Sequence, residues 1–218
     1  MKKLILYFFF TSLTCYSQET KLSISYEYIY SPQFDKSIQT YNFDRPFLKE
    51  KQPLFINGIH SNFNHTFKNE KQLKQGFSIG YSYFRSQANN LNFNNTLYLH
   101  FIQLGYLFHY QNSKRLIGFY ENIQINCVLG GLFKNINDQA TQFEEHRFKS
   151  LGIGGEIIGL IGYNFQKSDR LSPFISIGYS PYYFCPNTEA LLNDSKGLII
   201  NPWVNYFKFN LGIAFKIK

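Results

Sequence analysis

Hydrophobic residues recur at every second position along most of this chain, and that period belongs to β-strands. The last segment shows it best. Phe207, Phe209, Leu211, Ile213, Phe215 and Ile217 alternate there with Lys208, Asn210, Gly212, Ala214 and Lys216. Near the start, Leu22, Ile24, Tyr26, Tyr28 and Tyr30 alternate with Ser23, Ser25 and Glu27. Similar patterning predicts strands near 56–67, 74–84, 96–110, 116–129, 150–166 and 173–184, which makes eight with the two ends. The segment 96–110 is apolar on both phases, so its register stays open. Glu121 shares a phase with Phe119 and Ile123, which calls for a bulge or a place at a membrane edge.

Connections of alternating length are a second signal. Long ones are expected near 31–55, 85–95, 130–149 and 185–202, and short ones near 68–73, 111–115 and 167–172. Long outer loops, short inner turns and an even strand number are habits of outer-membrane barrels. Past the first residues no run of 18 apolar residues occurs, so no transmembrane helix is predicted.

Charge placement separates the architectures that share this period. A soluble sandwich or lipocalin-like barrel turns one face of each strand to water and places Lys, Glu, Asp and Arg there. Well inside the eight segments only Glu27, Glu121, Glu156 and Lys208 are charged. The non-apolar phase is otherwise Ser, Gly, Asn, Thr and Gln, which suits a narrow, side-chain-filled lumen. The other phase is Ile, Leu, Phe and Tyr, and its aromatics gather near segment ends as interfacial girdles do. The reading is all-β: an eight-stranded antiparallel up-and-down transmembrane β-barrel of the outer membrane. Glu27, Glu156 and Lys208 share the polar phase. Closure would make the first and last strands neighbours, so Glu27 and Lys208 are a candidate lumen ion pair, with Glu156 near.

Residues 1–17 read as a secretory signal peptide, with residues 18–218 as the barrel domain. Lys2 and Lys3 precede the apolar run Leu4 to Leu13, and Cys15 and Ser17 take the small-residue positions before a cut at Gln18. A lipid anchor on Cys15 fits poorly after Ser12, Leu13 and Thr14.

The whole sequence holds 22 Lys plus Arg against 14 Asp plus Glu. The basic residues are scattered singly, without the clustering of a nucleic-acid face, so no nucleic-acid partner is expected. Outer-membrane lipids and lipopolysaccharide are better partners for that charge, as are other envelope proteins. Cys127 and Cys185 remain after the leader; no metal-spaced cluster accompanies them, and both a bridge and two free thiols stay open.

The segment Leu97 to Phe108 (LYLHFIQLGYLF) resembles the central strand of an outer-membrane β-barrel domain common in Bacteroidetes. Gly118-Phe119-Tyr120, Gly152-Ile153-Gly154-Gly155 and Asn210-Leu211-Gly212 are similar in placement. The resemblance implies a porin-like outer-membrane protein and no particular activity. That family often ends on an aromatic residue, whereas this chain ends Phe215-Lys216-Ile217-Lys218.

No catalytic, cofactor or metal site is expected. His60 and Ser61 are adjacent and must face opposite sides, His146 lies beside Glu144 and Glu145 without a nearby Ser, and His100 and His109 cannot share a face. Eight strands enclose a space that side chains fill, whereas open channels take about 16 to 18. Work is therefore expected on the loops. The first long loop carries Tyr41, Phe43, Arg45 and Phe47, a candidate surface for sugars, lipopolysaccharide or a partner, unless it only folds over the barrel mouth. The expected role is non-enzymatic, in surface binding or envelope integrity. An accessory subunit of an envelope secretion or assembly machine comes second, and a lipid-modifying enzyme third.

Overall fold

The alternating segments pair edge to edge until the sheet meets itself. A computed structural model describes residues 17–43, 49–67, 73–89, 93–110, 118–138, 143–164, 170–184 and 203–217. Its elements are β1 (Ser17–Tyr30), α1 (Pro32–Phe43), β2 (Asn57–Phe67), β3 (Leu73–Asn89), β4 (Phe93–Tyr110), β5 (Phe119–Asp138), β6 (Phe143–Tyr163), β7 (Leu171–Phe184) and β8 (Trp203–Ile217). Each strand pairs antiparallel with the next, and β1 closes on β8 from Thr20 opposite Ile217 to Tyr30 opposite Phe207. The expected leader falls almost wholly on residues 1–16, outside the described residues.

Burial is inverted relative to a water-soluble fold. Ile177, Leu211 and Ile157 are 68%, 59% and 57% exposed on the outer wall, while Ser82, Gln103 and Glu27 inside are 0%, 2% and 1% exposed. An apolar exterior around a polar interior is stable only against acyl chains, where a closed ring leaves no backbone edge unpaired. The chain is a transmembrane β-barrel. Tyr28, Tyr30 and Trp203 face outward at one end, Phe119 and Phe215 at the other.

Two expected loops are strand. Residues 85–89 and 93–95 continue β3 and β4, which pair through Arg85 opposite Tyr98 to Asn89 opposite Asn94. Residues 130–138 and 143–149 extend β5 and β6, which pair as far as Asp138 opposite Phe143. Among the described residues β6 pairs with β7 from Gly152 opposite Phe184 to Gly162 opposite Phe174, and the β5–β6 ladder shifts register at Leu132/Phe133. These stretches read as loops because they are polar on both phases. Beyond the bilayer a ladder needs hydrogen bonds and no greasy face.

The first long loop holds a helix. Ser31 and Pro32 supply an N-cap residue and a first-turn proline, Asp35 follows in that turn, and the Asp35 amide donates to the Ser31 carbonyl at 2.9 Å. Phe34 and Ile38, one turn apart, are buried against Phe55, Leu97, Leu99 and Tyr206. The helix therefore lies over the mouth.

The wall has one local repair. Pro181 in β7 has no N–H, and the β6–β7 pairing skips Gly155 and Glu156. The Ser180 hydroxyl donates to the Gly155 carbonyl at 3.0 Å and fills the gap.

Candidate functional site

Inward positions of the eight strands build the lumen in layers. Toward α1 it is apolar: Phe84, Leu99, Phe101, Val128, Leu132, Tyr182, Val204 and Tyr206 pack together under Ile29, Phe34, Ile38 and Phe55. Phe101 meets the Tyr182 and Tyr206 rings edge-on at 5.4 and 5.2 Å. This plug explains why 96–110 is apolar on both phases. Leu97, Leu99 and Phe101 point in while Ile102, Leu104 and Tyr106 point out, with one continuous register.

Beneath the plug lies the charged layer, and the structure brings Glu27, Glu156 and Lys208 together. Lys208 Nζ sits 2.6 Å from Glu156 Oε1 and 3.5 Å from Glu27 Oε1, all three side chains being buried. Its ammonium also lies 4.9 Å from the Phe101 ring centroid, so Lys208 joins the two layers. Asn126 donates through Nδ2 to Glu156 Oε2 at 3.0 Å and accepts through Oδ1 from the Ser78 hydroxyl at 2.9 Å. Further down, Asn62 donates to Gln124 at 3.1 Å and Gln124 donates to Asn64 at 3.3 Å.

Sequence reasoning paired His60 only with its neighbour Ser61 and missed Ser82. The β2–β3 register sets His60 opposite Ser82, with Nδ1 and Oγ 2.9 Å apart, and Glu27 Oε2 lies 4.0 Å from the same nitrogen. A hydrolytic triad needs the hydroxyl on one ring nitrogen and the carboxylate on the other. Here both approach Nδ1, and Gln103 Nε2 donates to the Ser82 oxygen at 3.1 Å. The arrangement is a polar core contact and not a nucleophile–base–acid chain.

The remaining candidates disperse. His100 faces outward and contacts the Tyr81 hydroxyl at 2.7 Å, whereas His109 faces inward, 2.6 Å from Asn122 Oδ1. Among the described residues no three His, Cys, Asp or Glu side chains gather to hold a metal ion. Cys127 is a free thiol exposed on the outer wall, and Cys185 lies outside the described residues. Glu121 is exposed on that wall opposite Tyr110 and Ile161, with no register shift there, so the edge position is the correct alternative.

Of the expected loop surface, Phe43 is 83% exposed at the end of α1. Tyr41 lies in α1, its side chain outside the described residues, as are Arg45 and Phe47 entirely. Asn42 fastens the base of this loop: its Nδ2 donates to the Gln52 carbonyl at 2.8 Å and its Oδ1 accepts from the Gln52 amide at 2.7 Å. Gln52 in turn donates to Ser86 at 2.8 Å and accepts from Asn95 at 3.1 Å, tying the loop to β3 and β4. No sequence signal marks this clasp, which joins two ordinary amides ten positions apart.

A closed eight-stranded ring, greasy outside and filled inside, is an outer-membrane type of β-barrel. Comparison with solved structures finds outer-membrane proteins among the chains similar to this one. Ail, the attachment invasion locus protein of Yersinia pestis, solved with the heparin analogue sucrose octasulfate, is 13% identical over 91% of this chain and 98% of its own, with a TM-score of 0.46. Neisserial surface protein A is 10% identical over 91% and 96%, TM-score 0.46. The outer membrane protease OmpT of Escherichia coli is 9% identical over 92% and 97%, TM-score 0.45. These are likenesses of shape, and the barrel rests on the pairing register above. No family model and no curated protein matches the chain.

Proposed function

We propose that this chain is a non-enzymatic outer-membrane barrel that works at its α1 end, in surface binding or envelope integrity. The observation that carries this reading is the filling of the lumen. Phe101, Tyr182 and Tyr206 occupy it from wall to wall and α1 covers them. A blocked lumen leaves the outward end as the place for contact with other molecules. That end offers the extended β3–β6 sheet and the clasped loop with Phe43 at its start. Aromatic and basic side chains at 41–51 suit lipopolysaccharide, sugars or an envelope protein.

Replacing 43–49 by a Gly/Ser segment tests the reading. Folded barrel carrying that segment should lose binding to immobilised lipopolysaccharide while keeping heat-modifiable gel mobility. Undiminished binding would remove the loop from the function. A planar-bilayer recording of a large stable channel would overturn the blocked lumen itself.

A second reading, an accessory barrel in an envelope secretion or assembly machine, draws on the outer wall. A hollow of about 440 Å³ opens there over Gly159, flanked by Ile123, Ile161, Ile175 and Ile177. Stable co-purification with a large complex in mild detergent supports it, and a lone barrel supports the first reading.

A further inference from the structure

The outer wall sets a hollow beside a charge. Outward residues of β5, β6 and β7 pair in rows: Ile123, Gly159 and Ile177 make one, and Glu121, Ile161 and Ile175 make the next. Gly159 is the gap in the first row, and a Cβ there would meet no atom within 4 Å. The four isoleucines wall the hollow over it, and Glu121 lines its margin. The following row toward the strand ends is Phe119 with Tyr163, their rings edge-on at 4.9 Å. That aromatic pair belongs to the interfacial girdle. Glu121 stands two residues further in, about 7 Å at the rise of a strand. This is the depth at which headgroups give way to acyl chains.

Two physical demands meet here. A hollow in a lipid-facing wall forfeits dispersion contacts until atoms fill it. Water fills it badly, because its flanks are aliphatic. A flexible hydrocarbon chain lies well in a groove between isoleucine side chains. The exposed Glu121 carboxylate makes the second demand, since an anion at this depth is costly without a cation beside it. A lipid brings that cation when its headgroup is an amine.

We propose that the hollow seats one chain of an aminated phospholipid, of the phosphatidylethanolamine type, with its ammonium on Glu121. A primary ammonium donates charge-assisted hydrogen bonds to a carboxylate. A choline headgroup has the charge but no N–H to donate. A glycerol headgroup sets an uncompensated phosphate against Glu121. Holding the headgroup keeps the chain over Gly159, so carboxylate and hollow act on one molecule. The site lies on the wall, so it is independent of the binding surface proposed at the α1 end. A protein partner seated in the same hollow would exclude the lipid.

The full chain is refolded into vesicles of phosphatidylethanolamine, phosphatidylcholine and phosphatidylglycerol in equal parts with matched chains. It is then extracted in mild nonionic detergent, and native mass spectrometry reads the lipid it retains. We expect one retained phosphatidylethanolamine, favoured roughly tenfold over either competitor. Glu121→Gln should remove the preference, and Glu121→Lys should turn it toward phosphatidylglycerol. Gly159→Leu, whose side chain occupies the hollow, should lose retained lipid of every kind. Heat-modifiable mobility shows that each variant is folded. Should Gly159→Leu not fold, Gly159→Ala replaces it and should lower retention roughly threefold. Retention without headgroup preference, a preference that survives Glu121→Gln, or undiminished retention in the folded Gly159 variant overturns the site. A barrel dimer or a bound protein that the Gly159 variant releases also overturns it, because the hollow then holds protein.

Discussion

The Ser180 hydroxyl stands in for an amide that Pro181 lacks, donating to the Gly155 carbonyl at 3.0 Å. In water a missing ladder bond is replaced by solvent. Against acyl chains no replacement exists, and an unmet carbonyl carries its full desolvation cost. Ser180→Ala should therefore destabilise the barrel by about 1–3 kcal/mol. Ser176→Ala, whose side chain only accepts from Asn210 in the lumen at 3.0 Å, should cost less. Urea refolding into lipid vesicles measures both. Equal losses would show that the hydroxyl does not repair the ladder.

The Lys208 layer predicts an ordering of couplings. Breaking a buried pair by removing one partner costs about 3–5 kcal/mol, since the other charge stays behind. Lys208→Met leaves Glu156 and Glu27 both uncompensated and should approach that range. Double-mutant cycles should give a larger coupling for Lys208 with Glu156, at 2.6 Å, than with Glu27, at 3.5 Å. The reverse order would mean that Glu27 is the principal counter-ion.

Two glycines three residues apart on β6 should respond oppositely. Gly159 faces outward with no atom near its missing Cβ, whereas a Cβ at Gly162 would overlap the Tyr120 ring in the lumen. Gly159→Ala should be neutral or gain up to about 1 kcal/mol, from the chain entropy that Gly gives up on folding. Gly162→Ala forces the ring aside and should lose about 1–3 kcal/mol. Matched melting temperatures for the two would contradict the inward and outward assignment.

The ring was legible because a membrane imposes one simple rule per phase. Rows such as Phe207, Phe209 and Leu211 point to lipid, and the intervening Lys208 and Asn210 point inward. That rule ends at the bilayer edge, where β5 and β6 continue as a polar hairpin and were expected as a loop. The helix had left a local trace in Ser31, Pro32 and Asp35, with Phe34 and Ile38 one turn apart. The Ser82 contact of His60 could be found only with cross-strand register, which one sequence does not supply. The apolar plug was hidden for another reason: Leu99 and Phe101 look lipid-facing until the lumen is known to be greasy in its upper half.

The α1 cap should weaken as pH rises. Burial raises the Asp35 carboxyl above its ordinary range. The folded cap thus favours the neutral acid over the anion. Its contribution is full below the unfolded carboxyl's value of about 3.9 and is lost as pH rises through the higher folded value. Asp35→Asn should remove this slope and slow proteolysis of the α1 segment at neutral pH. A slope that persists in the variant would place its source elsewhere.

Cys127 reports on which side of the wall meets lipid. It lies in the outward row of β5 with Ile125 and Leu129, between Leu104 and Gly155 on the neighbouring strands. A fluorophore on this thiol, in a Cys185→Ser background, should be quenched strongly by lipids brominated along the acyl chain and little by aqueous iodide. The same label on Phe43→Cys, in a background that also lacks Cys127, should show the opposite pattern, because Phe43 is 83% exposed at the end of α1. Bromine position along the chain adds depth, and a mid-wall residue is quenched best by bromines far from the headgroup. Iodide quenching at Cys127 matching that at Phe43→Cys would mean that the Ile and Phe rows do not face a bilayer, and the membrane reading would fall with them.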